Sequence, residues 1–389
     1  NHGLKIDGAL CAYPRYVHEA MQKSDHKDVS FTSSLGKVTR WEPNFHNPYF
    51  FERYDALLAA FAEYLAAPHV FAGKSIERKK LVRCIEMRHF GWWGEGAYPR
   101  QFVPDNSECL IRFADSFLRR FPDIRLIAPT NGMVYVPSVY DTIKDYHFYL
   151  MNARNDVGLL GIFRDNWGWD ERSSYFQRIY YAANRYEKDG QRLYELIRDR
   201  WKSAPLVGEP GRTYPKGDFR PYSCLMEQVE YLHPVVIRNC NVSTGGGVSP
   251  TNPTNYSIFN DPPALEQFRK AYAVLGFRYL FQDVQVLQQD DKTCISLNWQ
   301  NTGLTPTYDR WIIRYFVLNE AGEEIWAGES SLDLRTVFPS ESVAPGTIAS
   351  EAGKVHTDRF DAIPAGRLFV IIEDPTGISF PMALSLRGR

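Results

Sequence analysis

Apolar and polar positions along the chain follow two patterns, and the first gives way to the second near residue 276. In the first part, short apolar runs alternate with longer stretches whose apolar residues recur at helical spacing. Residues 48–66 show this spacing, for example in Tyr54 and Leu58, and Pro48 suits the first turn of a helix. Strands that alternate with helices predict parallel pairing with right-handed crossovers.

The first part therefore contains six predicted strands and six predicted helices. The strands are 4–12, 81–89, 124–129, 158–163, 205–208 and 235–239. The helices are 48–66, 107–121, 136–150, 173–201, part of 221–231, and 263–275, and a polar loop is predicted around Trp41. A closed (β/α)8 barrel of the TIM type needs eight strands. We expect this α/β barrel, with its first two βα units upstream of Asn1.

The second part has a different texture. Its β-rich runs cover 277–287, 294–300, 311–318, 324–330 and 367–373, and short turns such as Asp-Asp-Lys and Asn-Thr-Gly separate them. Several runs alternate apolar and polar residues, and no long helix intervenes. This pattern predicts an antiparallel β-sandwich. The domains are therefore expected to be a glycosidase-like (β/α) barrel over 1–276 and a β-sandwich over 277–389.

Two glutamates follow strand-like runs on short glycine-flanked turns. Glu95 ends the stretch EMRHFGWWGE, and Glu209 lies in LVGEPG. Catalytic side chains of such barrels come from the C-terminal ends of different strands, and glycoside hydrolysis needs two carboxyl groups. With two strands upstream, Glu95 would follow the fourth strand and Glu209 the seventh. Either residue could instead be an ordinary surface carboxylate in a turn.

A family resemblance rests on four stretches: EMRHFGWWGEG, GEPG, WQNTGLTPTY and LDLRTVFP. From about residue 75 to 340 the chain resembles a bacterial family of uncharacterised, glycoside-hydrolase-like proteins, and its barrel is more distantly similar to family 42 β-galactosidases of clan A. The resemblance implies retaining double displacement on a β-linked saccharide. Glu95 would be the acid/base and Glu209 the nucleophile, with no cofactor.

One position departs from the clan-A pattern. Gly94 stands where those enzymes usually carry the Asn that holds the sugar 2-hydroxyl. The alternative hypothesis is therefore a non-catalytic carbohydrate-binding protein on a degenerate barrel.

Other residues near the strand ends suit a sugar subsite, since indole rings offer flat faces and short polar side chains bind hydroxyl groups. The candidate substrate-binding residues are Arg88, His89, Trp92, Trp93, Asn131, Asp165, Asn166, Trp167 and Trp41. Arg88 and His89 could instead pair with Glu86, and Asn131 could belong to a turn.

The composition of the chain argues against several classes of binding partner. The 389 residues carry a formal net charge of −1 without a run of Lys or Arg, which argues against nucleic acid. No CxxC, HxH or HxxxH motif predicts a metal site, and no run of 18 apolar residues predicts a membrane span. We expect an oligo- or polysaccharide partner and an exported protein, periplasmic, cell-surface or secreted, with no signal in this sequence. The oligomeric state stays open.

Overall fold

The structure is a computed structural model that describes residues 6–9, 19, 23, 25, 30–35, 38–44, 46–71, 73–88, 107–129, 137–168, 186–211, 222–238 and 258–384. Its helices are α1 (Pro48–Ala66), α2 (Glu108–Arg120), α3 (Pro137–Asn152), α4 (Leu193–Arg198), α5 (Leu225–Leu232) and α6 (Pro262–Val274).

The strands of the first part are β1 (Ile6–Ala9), β2 (Ser30–Leu35), β3 (Val38–Pro43), β4 (Pro68–Phe71), β5 (Lys74–Glu77), β6 (Val82–Glu86), β7 (Arg125–Pro129), β8 (Arg154–Asn155), β9 (Gly158–Leu159), β10 (Gly161–Trp167), β11 (Glu187–Lys188), β12 (Gln191–Arg192), β13 (Leu206–Pro210) and β14 (Val236–Ile237). Those of the second part are β15 (Tyr279–Gln289), β16 (Lys292–Asn301), β17 (Ile312–Leu318), β18 (Glu324–Glu329), β19 (Lys354–Phe360) and β20 (Arg367–Glu373).

The centre of the first part is a six-stranded parallel sheet in the order β1-β6-β7-β10-β13-β14. All six strands predicted from the apolar runs are present. The expectation of a closed eight-stranded barrel is wrong for the described chain, because β1 and β14 are the two ends of an open sheet and are not hydrogen-bonded to each other. With six strands present, Glu209 lies on the fifth strand of this sheet, and Glu95 comes after the second.

The sheet is strongly curved. Strand β6 is second and β14 sixth in the order, so a flat sheet would hold them about 19 Å apart at ~4.8 Å per step. Nevertheless Arg238, directly after β14, makes a salt bridge with Glu86 at the end of β6. The sheet therefore bends into a half-barrel with a concave face.

The two faces of the half-barrel carry different cores. On the concave face, one residue from each of four successive strands forms a small buried layer: Cys84, Ile127, Phe163 and Val207. On the convex face, the intervening residues pack against the helices in the main core, which includes Ile85, Leu126 and Ile162. This is the alternation that a two-sided buried sheet imposes on its strands.

Helix α1 matches its predicted bounds because local signals define both its start and its buried face. Asn47 caps it, and its side-chain oxygen accepts from the backbone N–H groups of Tyr49 and Phe50, with Pro48 as the first helical residue. Tyr54 and Leu58 on the same face are buried in the main core, where the Tyr54 ring packs against Phe113 of α2. Arg119 and Arg120 of α2 both pair with Asp55 on α1, which holds the pKa of that carboxyl below its usual value.

Two local predictions are wrong. The helix expected over 173–201 is not continuous, because residues 187–192 form the hairpin β11–β12 and only Leu193–Arg198 is α-helical. Asp189 and Gly190 have φ of 53° and 75°, and this left-handed turn ends any helix. Likewise Trp41 lies in the hairpin β2–β3 rather than in a loop.

The second part is a sandwich of two three-stranded antiparallel sheets, β15-β16-β19 and β18-β17-β20. Both sheets contribute to one buried core, for example Trp299 from the first and Tyr315 from the second. Strand β19 has no counterpart among the predicted runs, since its alternate residues Lys354, His356 and Asp358 are polar.

The sandwich is joined firmly to the half-barrel. Arg125, buried at the start of β7, donates to the Tyr308 carbonyl at 2.9 Å. The Tyr308 hydroxyl donates to the Trp201 carbonyl at 2.7 Å, and His233 Nδ1 meets the Leu304 carbonyl at 2.7 Å. All three half-barrel residues lie at or before the N-terminal ends of parallel strands. The sandwich therefore covers that end of the sheet, opposite the strand ends that carry Glu209.

Candidate functional site

Glu209 lies inside strand β13, not on a turn after it, so the predicted turn is wrong. Its neighbour two residues earlier, Val207, belongs to the concave layer. Because side chains alternate along a strand, Glu209 is on the same concave face, at the C-terminal end of the sheet. It is half-buried. This end of the concave face, formed by Glu86, Arg88, Phe163, Glu209 and Arg238, is called the mouth below.

Gly208, next to Glu209, is needed for packing. A Cβ atom at this position would stand 2.0 Å from the Arg164 carbonyl oxygen and 2.2 Å from Nε1 of Trp167. The Trp167 indole fills this space and donates from Nε1 to the Arg164 carbonyl at 2.9 Å. A glycine before Glu209 thus lets β10 and the indole approach β13 closely, which fixes the backbone that carries the glutamate.

The end of β13 is also tied to β10 through the backbone. Gly211 N–H donates to the Trp167 carbonyl at 2.9 Å, and the Tyr222 hydroxyl donates to the Gly211 carbonyl at 2.8 Å. Gly168, at φ 74°, donates its N–H to the Gln228 side chain at 2.7 Å. These bonds hold Glu209 on a rigid strand rather than on a loop.

The most buried charge of the mouth is Glu86, which is 1% exposed. Arg88 donates to its Oε2 from Nε at 3.0 Å and from Nη2 at 2.7 Å, and Arg238 donates to Oε1. Both carboxylate oxygens are therefore occupied by guanidinium groups. Glu86 therefore holds the guanidinium groups of Arg88 and Arg238 in place.

Phe163 lies beneath both arginines. The guanidinium carbon of Arg88 is 4.5 Å from the ring centroid, and that of Arg238 is 5.6 Å from it. Cations near the face of an aromatic ring are stabilised by its quadrupole. The mouth thus combines an apolar floor, two oriented guanidinium groups and two carboxylates at the end of a parallel sheet.

The register of β13 and β14 places Arg238 beside Glu209. Val207 pairs with Val236 and Gly208 with Ile237, and the Arg238 N–H donates to the Gly208 carbonyl at 2.8 Å. The next residues along the two strands, Glu209 and Arg238, are therefore neighbours. Arg238 then extends across the concave face to Glu86, so its side chain links three positions of the mouth.

Five of the predicted site residues fall outside the described residues: Glu95, His89, Trp92, Trp93 and Asn131. For Trp41 and Asn166 only the backbone is described, in β3 and β10 respectively. Asp165 is half-buried in β10, at the place where the register between β10 and β13 shifts.

Two predicted substrate residues have structural partners. Trp167 is fully buried in the main core, so its ring offers no face to a saccharide in this structure. Arg88 is buried and pairs with Glu86, which is the alternative that the sequence left open.

Glu86, Phe163 and Arg238 were not predicted from the sequence as members of the mouth. A signal for Glu86 was available, since it precedes Arg88 by two residues and shares its face of a strand. Arg238 carries no local signal, because its contact with Glu86 depends on the curvature of the whole sheet.

A separate cleft of about 550 Å³ lies between the half-barrel and the sandwich. Its walls include Trp201, His233 and Gly303, and the rings of Trp201 and His233 stack at 4.0 Å. Burial lowers the pKa of His233. None of the sequence-predicted site residues lines this cleft, which belongs to the covered end of the sheet.

Within the described part of the chain, no group of three or more His, Cys, Asp or Glu residues is arranged to hold a metal ion. In the same residues, no helix is long and apolar enough to cross a membrane.

Comparisons with known proteins do not assign the chain to a family. No protein-family model matches the chain, and no curated protein matches it at a significant level.

Proposed function

We propose that the protein is a glycoside hydrolase that cleaves a β-linked saccharide at the mouth by retaining double displacement. Glu209 is the nucleophile and Glu95 the acid/base. The observation that carries the proposal is the position of Glu209 on the concave face, at the C-terminal end of the parallel strand β13. Ligands of open α/β sheets bind outside the carboxyl ends of the strands.

The surroundings of Glu209 suit a nucleophile. Arg238, directly after β14, is the residue beside Glu209 on the neighbouring strand. The close packing of Gly208 and Trp167 fixes the backbone, and a nucleophile must be held within a fraction of an ångström of its productive position. Glu86 is excluded from this role because two guanidinium groups occupy its oxygens.

Hydrolysis of a panel of aryl β-glycosides by the wild-type chain, Glu209→Gln and Glu95→Gln tests the proposal. We expect each variant to lose about a thousandfold or more in turnover. Glu320→Gln, an exposed glutamate in the sandwich, is the matched control and should keep full activity. Activity of Glu209→Gln equal to that of Glu320→Gln would rule out the assignment.

The two roles can be separated with azide. A nucleophile variant, Glu209→Ala, should be rescued to give a glycosyl azide of inverted anomeric configuration. An acid/base variant, Glu95→Ala, should give one of retained configuration, because its covalent intermediate still forms. Exchanged outcomes would reverse the roles of the two residues.

The second candidate function is a non-catalytic carbohydrate-binding protein. Gly94 before Glu95, together with the open edges of the sheet, favours it. It predicts saccharide binding without turnover in the wild-type chain, and binding that is unchanged in Glu95→Gln.

A further inference from the structure

We propose that the free edge of strand β15 pairs with the same edge of a second copy of this chain. The pairing is antiparallel around a two-fold axis at Leu287. It joins the three-stranded sheets β15-β16-β19 of the two copies into one continuous sheet. The pairing involves the sandwich alone and is independent of the function proposed for the mouth.

The second half of β15 is exposed on both of its faces. Every residue from Asp283 to Gln289 is exposed, although the side chains of a strand alternate between two faces. Val284, Val286 and Leu287 are 53%, 50% and 59% exposed. Strand β15 is also the last strand of its sheet, so one edge of its backbone pairs with no other strand of the described chain. An exposed edge that carries apolar side chains is a template for another strand.

The other edge strands of the sandwich differ from β15 in their charge. Each of them carries charged residues: Glu324 and Glu329 in β18, Lys354 and Arg359 in β19, Arg367 and Glu373 in β20. Charged side chains on an edge strand oppose pairing with another chain. Residues 285–289 of β15 are Gln-Val-Leu-Gln-Gln, without charge and without proline. These five residues are called the neutral segment below.

The hairpin between β15 and β16 determines which backbone groups face the free edge. Its turn is Asp290-Asp291, with φ of 49° and 60°, and Gln289 pairs with Lys292 across it. The residues that flank a two-residue turn form a hydrogen-bonded pair, and such pairs alternate with non-hydrogen-bonded ones along antiparallel strands. Counted back from Gln289, every second residue of the neutral segment therefore bonds to β16.

Val286 and Gln288 are the residues of the neutral segment whose backbone N–H and C=O groups point to the free edge. The register of β15 on β16 is regular throughout this segment, so the alternation is not interrupted. A two-fold axis at Leu287 places Val286 of one copy opposite Gln288 of the other, and the reverse. Both of these facing pairs can exchange their two hydrogen bonds. The backbone of the segment is thus complementary to itself.

The side chains of the neutral segment are self-complementary as well. Leu287 would face Leu287 of the second copy in a non-hydrogen-bonded pair, the closer kind, with Cα atoms about 4.5 Å apart. Gln285 would face Gln289, and an amide side chain can donate to another amide and accept from it. No charged side chains oppose each other within the segment. The occupant that fits this edge is therefore a second copy of the chain.

The resulting dimer is expected to be weak. A single pair of edge strands buries less area than the ~800 Å² per partner of a standard interface, which indicates a dissociation constant in the micromolar range. Acidic residues also flank the segment, with Asp283 before it and the turn Asp290-Asp291 after it. Antiparallel pairing brings the first toward the second of the other copy. Because salt screens this repulsion, the dimer should become tighter as the salt concentration rises.

Sedimentation equilibrium of the full chain, from about 1 µM to about 200 µM, measures the association. We expect the mean mass to rise from that of the monomer toward that of the dimer, without larger species, because a two-fold pairing is closed. A chain that stays monomeric over the whole range overturns the proposal and leaves the edge to a strand of another protein.

Two proline variants assign the association to β15. Val286→Pro removes a backbone donor from the free edge and none from the bonds to β16, so it should weaken the dimer at least about tenfold. Val355→Pro is the matched control. Val355 lies on β19 opposite Asn298 and is 69% exposed, and by the same alternation its N–H faces the other edge of the sheet. Equal effects of the two variants, or none from Val286→Pro, would overturn the proposal.

A pair of charge variants tests the position of the axis. Leu287→Lys alone and Leu287→Asp alone each place two like charges in direct contact, and both should be monomeric over the same range. An equal mixture of the two should dimerise, because a lysine then faces an aspartate. Thermal unfolding of each variant checks that it is folded. A mixture that stays monomeric would show that Leu287 does not meet its own copy.

Discussion

Both parts of the molecule contain a buried carboxylate, and the two differ in what surrounds it. Glu86 in the mouth meets two guanidinium groups, one from its own strand end and one from across the half-barrel. Asp358 in the sandwich, 4% exposed, meets mainly neutral donors: the Tyr315 hydroxyl at 2.9 Å, the Ser330 hydroxyl at 2.5 Å and the Ser331 N–H at 2.8 Å. Ser331 Oγ and His356 Nε2 complete the set at 2.9 Å and 3.0 Å.

The difference concerns charge and access. Every donor around Asp358 comes from the sandwich itself, and together they join β19 to β17 and to the end of β18. Burial alone would raise the pKa of Asp358, but the hydrogen bonds from Ser330, Ser331 and His356 outweigh it and lower that pKa. Of the two arginines that pair with Glu86, Arg238 has a partly exposed side chain. A buried carboxylate thus has a structural role when all the groups that donate to it bond only within the protein. It can also contribute to ligand binding when one of those groups is partly exposed.

The cluster in the sandwich also contains Ser, His and Asp, the residues of a hydrolytic triad, yet it lacks the geometry. Ser331 Oγ is 3.1 Å from Nε2 of His356, and Asp358 Oδ1 is 3.0 Å from the same nitrogen. In a triad the serine and the carboxylate meet different nitrogens of the imidazole, so that it can pass a proton. We therefore assign this cluster a structural role.

The largest effect is expected for Glu86→Gln. Removal of the charge leaves Arg88 and Arg238 facing a neutral amide, and breaking a buried ion pair costs about 3 kcal/mol or more. Urea unfolding should show this loss in the free energy of unfolding. Glu320→Gln, an exposed glutamate, should change stability by less than about 0.5 kcal/mol. Equal free energies of unfolding for Glu86→Gln and Glu320→Gln would contradict the stabilising role of Glu86 between the two arginines.

Asp358→Asn should cost somewhat less, about 2 kcal/mol, because the amide keeps one acceptor oxygen while the bonds to the charged group are lost. Since its pKa is lowered in the folded protein, the carboxylate stabilises the fold above its ordinary value of 3.8, and this contribution is lost as the pH falls through the lower, folded pKa. Urea unfolding at pH 7 and in acid measures both effects. Asp361→Asn, whose side chain is 91% exposed, is the control.

His147 extends the comparison to a buried group without a partner. It is 2% exposed, neither ring nitrogen has a hydrogen-bond partner in the described chain, and burial lowers its pKa to about 3. Below its ordinary value of 6.5 the unfolded chain takes up a proton that the folded chain does not, so stability falls by about 1.4 kcal/mol per pH unit down to about pH 3.

His147→Phe should remove this slope. In thermal unfolding, the stability of the variant relative to the wild type should therefore rise steadily as the pH falls from 6.5 to 4. His69→Phe, at an exposed position, should leave the wild-type profile unchanged. Parallel profiles of His147→Phe and the wild type would show that the imidazole titrates normally.

The smallest effect is expected for Ser331→Ala. It removes one hydroxyl that bonds to Asp358, at a cost of about 1 kcal/mol, and leaves any hydrolytic activity untouched. Loss of activity without loss of stability would instead reveal a catalytic serine in the sandwich.

Local patterns explain what was predictable. The spacing of Tyr54 and Leu58, with Pro48 in front, was enough to define α1 to the residue. The apolar runs located all six parallel strands. By contrast, the stretch 173–201 has helical periodicity but contains Asp189 and Gly190, whose left-handed turn interrupts it. Hydrophobic periodicity alone does not predict such a turn.

The candidate site was predictable only in part. Glu209 was predicted near the end of a strand because a carboxylate next to glycine after an apolar run is a local feature, and it lies in β13. Trp167 was misjudged, because an indole after a strand looks the same in sequence whether it faces a ligand or, as here, fills the space over Gly208. Whether a large aromatic ring is buried depends on the opposite strand, which the local sequence does not contain.

The sequence by itself located the six parallel strands and five of the six predicted helices, since each depends on neighbours within a few residues. Only the tertiary structure decided that the sheet is an open half-barrel and that Arg238 meets Glu86 over the ring of Phe163. These two residues are 152 positions apart. Their contact follows from the accumulated twist and curvature of five hydrogen-bonded strands, a property of the sheet and not of any segment within it.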